Sequence, residues 1–374
     1  MIYIMTWHRG TNYGSVLQAY ALQKCISDAG YSCRILDYAP GKTESLKMKI
    51  MNGSLMDTIV YKLNERAAKN LGDQAGQSAG AFDSFRKEYM DITKRCRNAG
   101  DIIRLCGDDA VFVCGSDQIW NPYFYDPCYF LTFVKDKSKK IAYAPSFGVS
   151  AVKGGAKKKI AAALLDFDSI SVREDTGRKI VKDLAGKDAY VAADPTMLIG
   201  INEWNRIAVR PKEKDRYLFC YFLKCDRKYI KAAEKIAKAR NLKIRMLPMT
   251  ALSVPDKNVI KRPVGPREWL GYIKSADYVI TDSFHCTLFA MRYRKQFTVL
   301  KRFSDGDPRG QNERISSFLE ETGLAGRFTD APDMTVTEPD ITDPAFVQAC
   351  EAADRKAERS KKWLIQNLEK TRRA

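Results

Sequence analysis

Short apolar runs alternate with helix-like runs through most of the chain, and this alternation restricts the fold more than any other property. MIYIMTW (1–7) is strand-like, and HRGTNYGS (8–15) is a turn rich in glycine and polar residues. SVLQAYALQKCISDAG (15–30) predicts an amphipathic helix stopped at Gly30, and YSCRILDYAP (31–40) is again strand-like. Strand, helix and strand in succession form the repeating unit of a parallel sheet, because parallel neighbours need a crossover long enough to hold a helix. Residues 41–100 read as polar and helical. Strand-like runs then return at AVFVCG (110–115), KIAYAPS (140–146), SISVRE (169–174) and AYVAADP (189–195).

Near residue 200 the pattern breaks. INEWNRIAVRPKEKDR (201–216) is polar, ends in a charged run and reads as an interdomain connection. Alternation restarts with RYLFCYFL (216–223), LKIRMLP (242–248), DYVIT (277–281) and QFTVLKR (296–302) as strands, with helices between them. NERISSFLEETGLAGR (312–327) follows as a helix. A long last helix is predicted over 343–374, with Phe346, Cys350, Ala353, Ala357, Leu364 and Leu368 on one face. A chain of 374 residues suits two cores. The expected architecture is therefore α/β: two doubly wound, Rossmann-like domains facing each other across a cleft. Their expected bounds are 1–200 and 201–340, with the helix of 341–374 packing back across the domains.

Charge narrows the partners. Sixty-three basic residues against 45 acidic give a net charge of +18, which favours anionic ligands: nucleic acid, lipid headgroups or phosphorylated small molecules. With no zinc finger, RNP-like aromatic motif or helix-turn-helix, nucleic acid is set aside. No run is apolar enough to span a bilayer, and MIYIMTWHRG lacks the basic start of a signal peptide. The expectation is a cytoplasmic protein, with peripheral contact at the inner face of the membrane. The ten cysteines form no CxxC pair and are expected to be buried reduced thiols. Two histidines and unclustered carboxylates predict no metal site.

One of those histidines, His285 in TDSFHCTLFA (281–290), stands where the strand DYVIT meets a helix. Ligands of open parallel sheets bind at strand carboxyl ends, and helix N-termini attract anions. Asp282 or Ser283 caps that helix. No acidic residue lies between Leu288 and Phe303, and QFTVLKR brings Lys301 and Arg302 to its own carboxyl end beside the histidine. A proton-transfer group flanked by cations suits phosphoester chemistry; the alternative is a histidine that caps its helix or packs on Phe284. Asn12, Tyr13 and Gly14 offer amides and a phenol to a sugar or phosphate, or make a simple turn. Ser116 and Asp117 in GSDQIWNP orient or deprotonate a hydroxyl, or cap a helix. His8 lies in the first loop without a visible partner. Asn312 and Arg314 open a helix where an anion can be contacted.

NYGSVLQAYALQ (12–23), CGSDQIWNP (114–122), YAPSFG (143–148), SVRE (171–174), ADPTMLI (193–199) and TDSFHCTLFA occur in the order seen in the polysaccharide pyruvyl transferases. Over about residues 1–325 the chain resembles that family. The resemblance implies a GT-B-like fold and a place in polysaccharide biosynthesis. It implies transfer of a pyruvyl group from phosphoenolpyruvate to sugar hydroxyls as a ketal, on a cell-surface polysaccharide or a lipid-linked glycan precursor. Phosphoenolpyruvate is the donor substrate, and no cofactor is implied. His285 matches the family's histidine and is expected to be the general acid. Arg173 in SVRE matches the family's arginine and is expected to be catalytic, its guanidinium holding a carboxylate or phosphate through two parallel hydrogen bonds; its alternative is an ion pair with Glu174 or Asp175. Lys301 is the candidate for the phosphate-binding lysine, with Arg302 its rival. The sequence departs from the family two residues before the histidine, where Ser283 replaces an arginine. Either Lys301, Arg302 or Arg314 compensates, or the donor differs. A nucleotide-sugar glycosyltransferase and a noncatalytic glycan- or anion-binding protein stay open as alternatives.

Overall fold

The structure, a computed structural model, describes residues 1–41, 74–224, 227–248, 256–303, 312–330 and 343–373. They fall into two compact units. The first holds the described residues within 1–62, 86–199 and 355–374; the second holds those within 63–85 and 200–354.

The first unit is built on seven parallel strands: β1 (Ile2–Met5), β2 (Cys33–Tyr38), β3 (Ile92–Cys96), β4 (Val111–Cys114), β5 (Lys140–Ala142), β6 (Ser169–Val172) and β7 (Tyr190–Val191). Their order is β3-β2-β1-β4-β5-β6-β7. Ile4 lies opposite Ile35 on one side and Val113 on the other. The chain winds outward in both directions from β1, so a crevice opens between the carboxyl ends of β1 and β4. Helix α1 (Tyr13–Asp28) connects β1 to β2 and is buried on nearly all sides, where the sequence predicted an amphipathic helix. A helix apolar all round belongs inside a core. Helix α2 (Gln74–Tyr89) leads to β3, and α3 (Ala99–Cys106), α4 (Ala156–Leu165) and α5 (Asp175–Ala185) cover the sheet. Trp120 stacks on Phe130 at 5.1 Å and meets Phe147 and Phe167, which fills the space beneath α4.

The second unit carries five parallel strands: β8 (Tyr217–Phe222), β9 (Lys243–Pro248), β10 (Tyr278–Thr281), β11 (Gln296–Leu300) and β12 (Phe328–Thr329). Their order is β12-β11-β10-β8-β9. The winding reverses between β8 and β10. Its helices are α6 (Ile201–Ile207), α7 (Arg227–Ala239), α8 (Pro266–Ser275), α9 (Phe284–Arg292) and α10 (Glu313–Glu321). A Cβ on Gly271 would lie 1.7 Å from the Val209 carbonyl oxygen, so glycine alone lets α8 pack this closely on the segment after α6.

Helix α11 (Pro344–Arg373) is divided: its residues up to Asp354 count with the second unit and those from Arg355 with the first. Phe346, Cys350, Ala353, Ala357, Leu364 and Leu368 are all buried, as their spacing predicts. Ser360 continues the stripe as a polar staple; its hydroxyl accepts the Ala193 N–H at 2.9 Å.

Four sequence expectations need correction. β3 lies inside the stretch read as helical, because ITKRC carries Lys94 and Arg95 on an edge strand where charge is tolerated; residues 42–73 of that stretch lie outside the described residues. AYVAADP gives only two strand residues before a 3-10 turn at Pro195–Met197. The supposed connection begins with α6. The first three-quarters of α2, through Phe85, group with the second unit, where the Ser78 hydroxyl accepts the Val264 N–H at 3.3 Å and Ala81 packs against Gly265.

Candidate functional site

At the carboxyl edge of the first sheet, Gln18 of α1 ties the strand ends together. Its side-chain nitrogen donates to Thr6 Oγ1 at 2.9 Å, the Trp7 carbonyl at 3.1 Å and the Ser15 carbonyl at 2.8 Å, while its oxygen accepts the Ser116 N–H at 3.1 Å. The loop after β4 is shaped around this residue. Gly115 has φ +128°, and a Cβ there would sit 1.8 Å from the Tyr143 carbonyl oxygen, so only glycine fits. Ser116 is fully buried and donates to the Ala144 carbonyl at 2.7 Å. Asp117 adopts a left-handed conformation, φ +62°, which a non-glycine residue holds only when its surroundings enforce it. Here its carboxylate accepts the Ser15 hydroxyl and the Gln118 N–H, and its carbonyl accepts the Ser146 N–H at 2.8 Å. Asp117 therefore caps no helix and is fixed at the crevice beside α1.

The first loop has a capping residue. The Asn12 side-chain oxygen accepts the Ser15 N–H at 3.1 Å, and Tyr13 and Gly14 lie buried in the opening turn of α1. His8 is also buried: Nδ1 lies 3.2 Å from the Thr6 carbonyl and Nε2 lies 3.4 Å from the Asp37 carboxylate. Hydrogen bonding from His8, joined by Arg9, holds the Asp37 carboxyl below its ordinary value.

Arg173, just past β6, is 6% exposed and enclosed by carboxylates. Its guanidinium donates to Asp194 at 2.9 Å and lies 3.8 Å from Glu174, while Asp175 pairs instead with Arg178 and Lys179. Burial alone would lower its pKa; Asp194, Glu174 and Asp117 outweigh that and raise it. Glu174 in turn accepts the Ser146 hydroxyl at 2.7 Å and the Phe147 N–H at 3.2 Å. The ion pair thus supports the loop after β5.

In the second unit the corresponding crevice lies between β8 and β10. Asp282 is 1% exposed, and its two oxygens accept the Leu223 and Lys224 N–H groups at 2.7 and 2.9 Å, which joins the two strand ends. Burial raises its carboxyl above the ordinary value, opposed by Arg302 and these amides. Ser283, rather than Asp282, caps α9: its hydroxyl accepts the Cys286 N–H at 3.4 Å. His285 follows in the first turn, 7% exposed, its ring 5.4 Å from that of Phe284.

Lys301 and Arg302 diverge. Lys301 Nζ lies 3.6 Å from Asp330, beside β12, and its carbonyl accepts the Tyr229 hydroxyl at 2.7 Å. Arg302 faces the other way: burial lowers its pKa, and Asp282, Tyr229 and Tyr221 pull it back up. Asn312 fixes the backbone after it, donating to the Phe303 carbonyl at 2.8 Å and accepting its N–H at 3.3 Å. Arg314 is buried with its guanidinium 5.7 Å from the Phe284 ring, so His285 and Arg314 share that aromatic neighbour. One edge of this unit thus gathers Ser283, His285, Arg302 and Arg314; Asn312 serves the backbone, and Lys301 points to Asp330. Gln18, Asp194 and Tyr229 were missed in sequence, whereas the pairing of Arg173 with Glu174 was one of its alternatives. A glutamine amid the apolar run VLQAYALQ was the one available signal.

Among the described residues, no group of three or more His, Cys, Asp or Glu is arranged to hold a metal ion, and no helix is long and apolar enough to cross a membrane.

A family profile described as polysaccharide pyruvyl transferase matches residues 12–302. No curated protein matches the chain significantly. Among solved structures, the apo structure of OtsA is similar with a TM-score of 0.51 at 8% identity, over 98% of both chains. A UDP-GlcNAc 2-epimerase from Neisseria meningitidis, bound to UDP-GlcNAc, gives 0.47 at 8% identity over 99% of this chain and 100% of its own. The glycosyltransferase SnogD from Streptomyces nogalater gives 0.45 at 12% identity over 98% of both. The likeness to OtsA is one of fold, the pair of Rossmann-like units.

Proposed function

The chain belongs to the polysaccharide pyruvyl transferase family, and from that footing we propose that it transfers the pyruvyl group of phosphoenolpyruvate to hydroxyls of a sugar. The acceptor is a cell-surface polysaccharide or a lipid-linked glycan precursor, and the product is a pyruvate ketal. The observation that supports this reading best is the grouping of His285, Arg302 and Arg314 at the carboxyl edge of the second sheet, where its winding reverses.

In this reading the imidazolium of His285 gives a proton to the methylene carbon of phosphoenolpyruvate while C2 becomes cation-like. A sugar hydroxyl bonds to C2, phosphate departs with the C–O electron pair, and a second hydroxyl takes its place. Of the two hydroxyl protons released, one restores the histidine and the other leaves with phosphate. General acid catalysis of this kind is worth roughly a hundredfold to ten-thousandfold.

The donor carries a phosphate and a carboxylate, and planar guanidinium groups suit both. We assign these anions to Arg302 and Arg314. Arg314, across Phe284 from the histidine, supplies the charge that Ser283 does not. Lys301 drops to a structural role because it faces Asp330. The first unit's share is acceptor handling: Asp117 and Ser116 orient a hydroxyl, and the side-chain nitrogen of Asn12 offers a donor. Tyr13 and Gly14 shape the loop. Arg173 is a positioning residue that holds Glu174 and Asp194 under the crevice.

The test is phosphate release from phosphoenolpyruvate with free and lipid-linked glycans as acceptors. Release that depends on acceptor and is lost in His285→Asn supports the reading. A nucleotide-sugar glycosyltransferase would release no phosphate from phosphoenolpyruvate, and that result would overturn it.

A further inference from the structure

We propose that the carboxyl edge of the first unit docks on an anionic lipid bilayer through Tyr123, Phe124 and the lysines around the start of α4. The inference needs no step of the reaction proposed above.

Among the described residues the large apolar side chains left exposed are few, and only Tyr123 and Phe124 are aromatic, at 39% and 57%. Both sit on one 3-10 turn, Pro122–Phe124, that is firmly built. The Asn121 side-chain oxygen accepts the Tyr123 N–H at 3.0 Å, the Asn121 carbonyl accepts the Phe124 N–H at 3.0 Å, and Pro122 fixes the first φ. Phe124 is braced edge-on by Trp7 at 6.1 Å. Its exposure is therefore a feature of a rigid turn.

The turn packs against α4. It follows β4, and the loop into α4 follows β5; the strands are parallel, so both emerge at the same edge of the sheet. That loop and first turn carry Lys153, Lys157, Lys158 and Lys159, all exposed. No acidic residue occurs between Asp136 and Asp166. The neighbouring acid at this edge, Asp175, is already paired with Arg178 and Lys179. Exposed aromatic rings beside uncompensated lysines form the pattern that binds an anionic interface: rings settle at headgroup depth, and each lysine adds electrostatic attraction. The same edge holds Ser116 and Asp117, so docking would bring them to a lipid-borne acceptor.

The test is the partition of the full chain onto vesicles of equimolar phosphatidylglycerol and phosphatidylcholine, against vesicles of phosphatidylcholine alone. Binding is expected only to the anionic vesicles. The triple variant Lys157→Gln/Lys158→Gln/Lys159→Gln should lower the partition coefficient on the order of a hundredfold, and Phe124→Ser about tenfold. All four side chains are exposed, so thermal unfolding should be unchanged and confirms that each variant is folded. Equal binding to both vesicle types, or none, overturns the proposal. So does wild-type partition by either variant, or a loss produced instead by Arg355→Gln/Arg359→Gln/Lys362→Gln on α11. If Phe124→Ser weakens only the use of a soluble glycan, the ring stacks on sugar and the docking assignment fails.

Discussion

The backbone N–H of Ser116 donates to the side-chain oxygen of Gln18 at 3.1 Å, joining the loop after β4 to the first helix of the chain. Three acceptors, Thr6 Oγ1 and the Trp7 and Ser15 carbonyls, depend on the nitrogen at the other end of the same carboxamide. A buried donor or acceptor left without a partner costs about 1–3 kcal/mol. Gln18→Leu should therefore destabilise the first unit by about 3 kcal/mol, read from urea unfolding. Gln18→Glu keeps an acceptor for Ser116 but sets a buried carboxylate oxygen against the Trp7 and Ser15 carbonyls, and should cost at least as much.

His285→Asn should lower kcat about a hundredfold or more and leave the far-ultraviolet spectrum and unfolding midpoint unchanged. Arg302→Gln should raise the KM for phosphoenolpyruvate by about tenfold or more. Lys301→Gln should change it by no more than about twofold, since a partly exposed ion pair such as that with Asp330 contributes little. The opposite ranking of the two basic residues would remove Arg302 from the donor site.

Two carboxyls, Asp282 buried and Asp37 half-buried, should give opposite pH signatures. Asp282 has its pKa raised by burial, so the folded state holds its proton more tightly than the unfolded state does. Its contribution to stability is complete in acid, below the ordinary 3.8, and is lost as pH rises through the folded value. Asp37 is held low, chiefly by the hydrogen bond from His8, so its contribution is present above 3.8 and is lost as pH falls. Across a pH series of unfolding measurements, the stability gap between wild type and Asp282→Asn should narrow as pH rises. The gap for Asp37→Asn should widen. Parallel trends would contradict the assignment.

Gly271→Ala should cost about 3 kcal/mol, because the added methyl would meet the Val209 carbonyl at 1.7 Å and push α8 off the segment after α6. Gly154→Ala probes a glycine with no neighbour within 4 Å but φ +70°, so its smaller loss reports backbone conformation alone. Differential scanning calorimetry separates the two.

The sheets were legible because parallel strands covered on both faces read as continuous apolar runs: YLFCYF is buried at every position. β3 was not, since an edge strand carries Lys94 and Arg95 without penalty and lacks that signature. The stripe on α11 was visible because a 3.6-residue period survives over thirty residues. The site was legible only in its chain-local part. Histidine after a strand, and basic residues after the next strand, are patterns within TDSFHCTLFA and QFTVLKR. The bonds from Asp282 to Leu223 and Lys224 cross 59 and 58 positions, and that from Gln18 to Ser116 crosses 98. No spacing rule reaches so far. The choice between Lys301 and Arg302 likewise rests on Asp330 and Asp282, which lie on either side of β11.

Ser360 holding the Ala193 amide has a consequence for biogenesis. The first unit takes its opening strand from Ile2–Met5 and its closing helix turns from Arg355 on, after every described residue of the second unit. A nascent chain stalled before Arg355 would contain every described residue of the second core while the first stayed open along one side. Chaperones would then meet the amino-terminal half, although it was made first, as the later of the two to close.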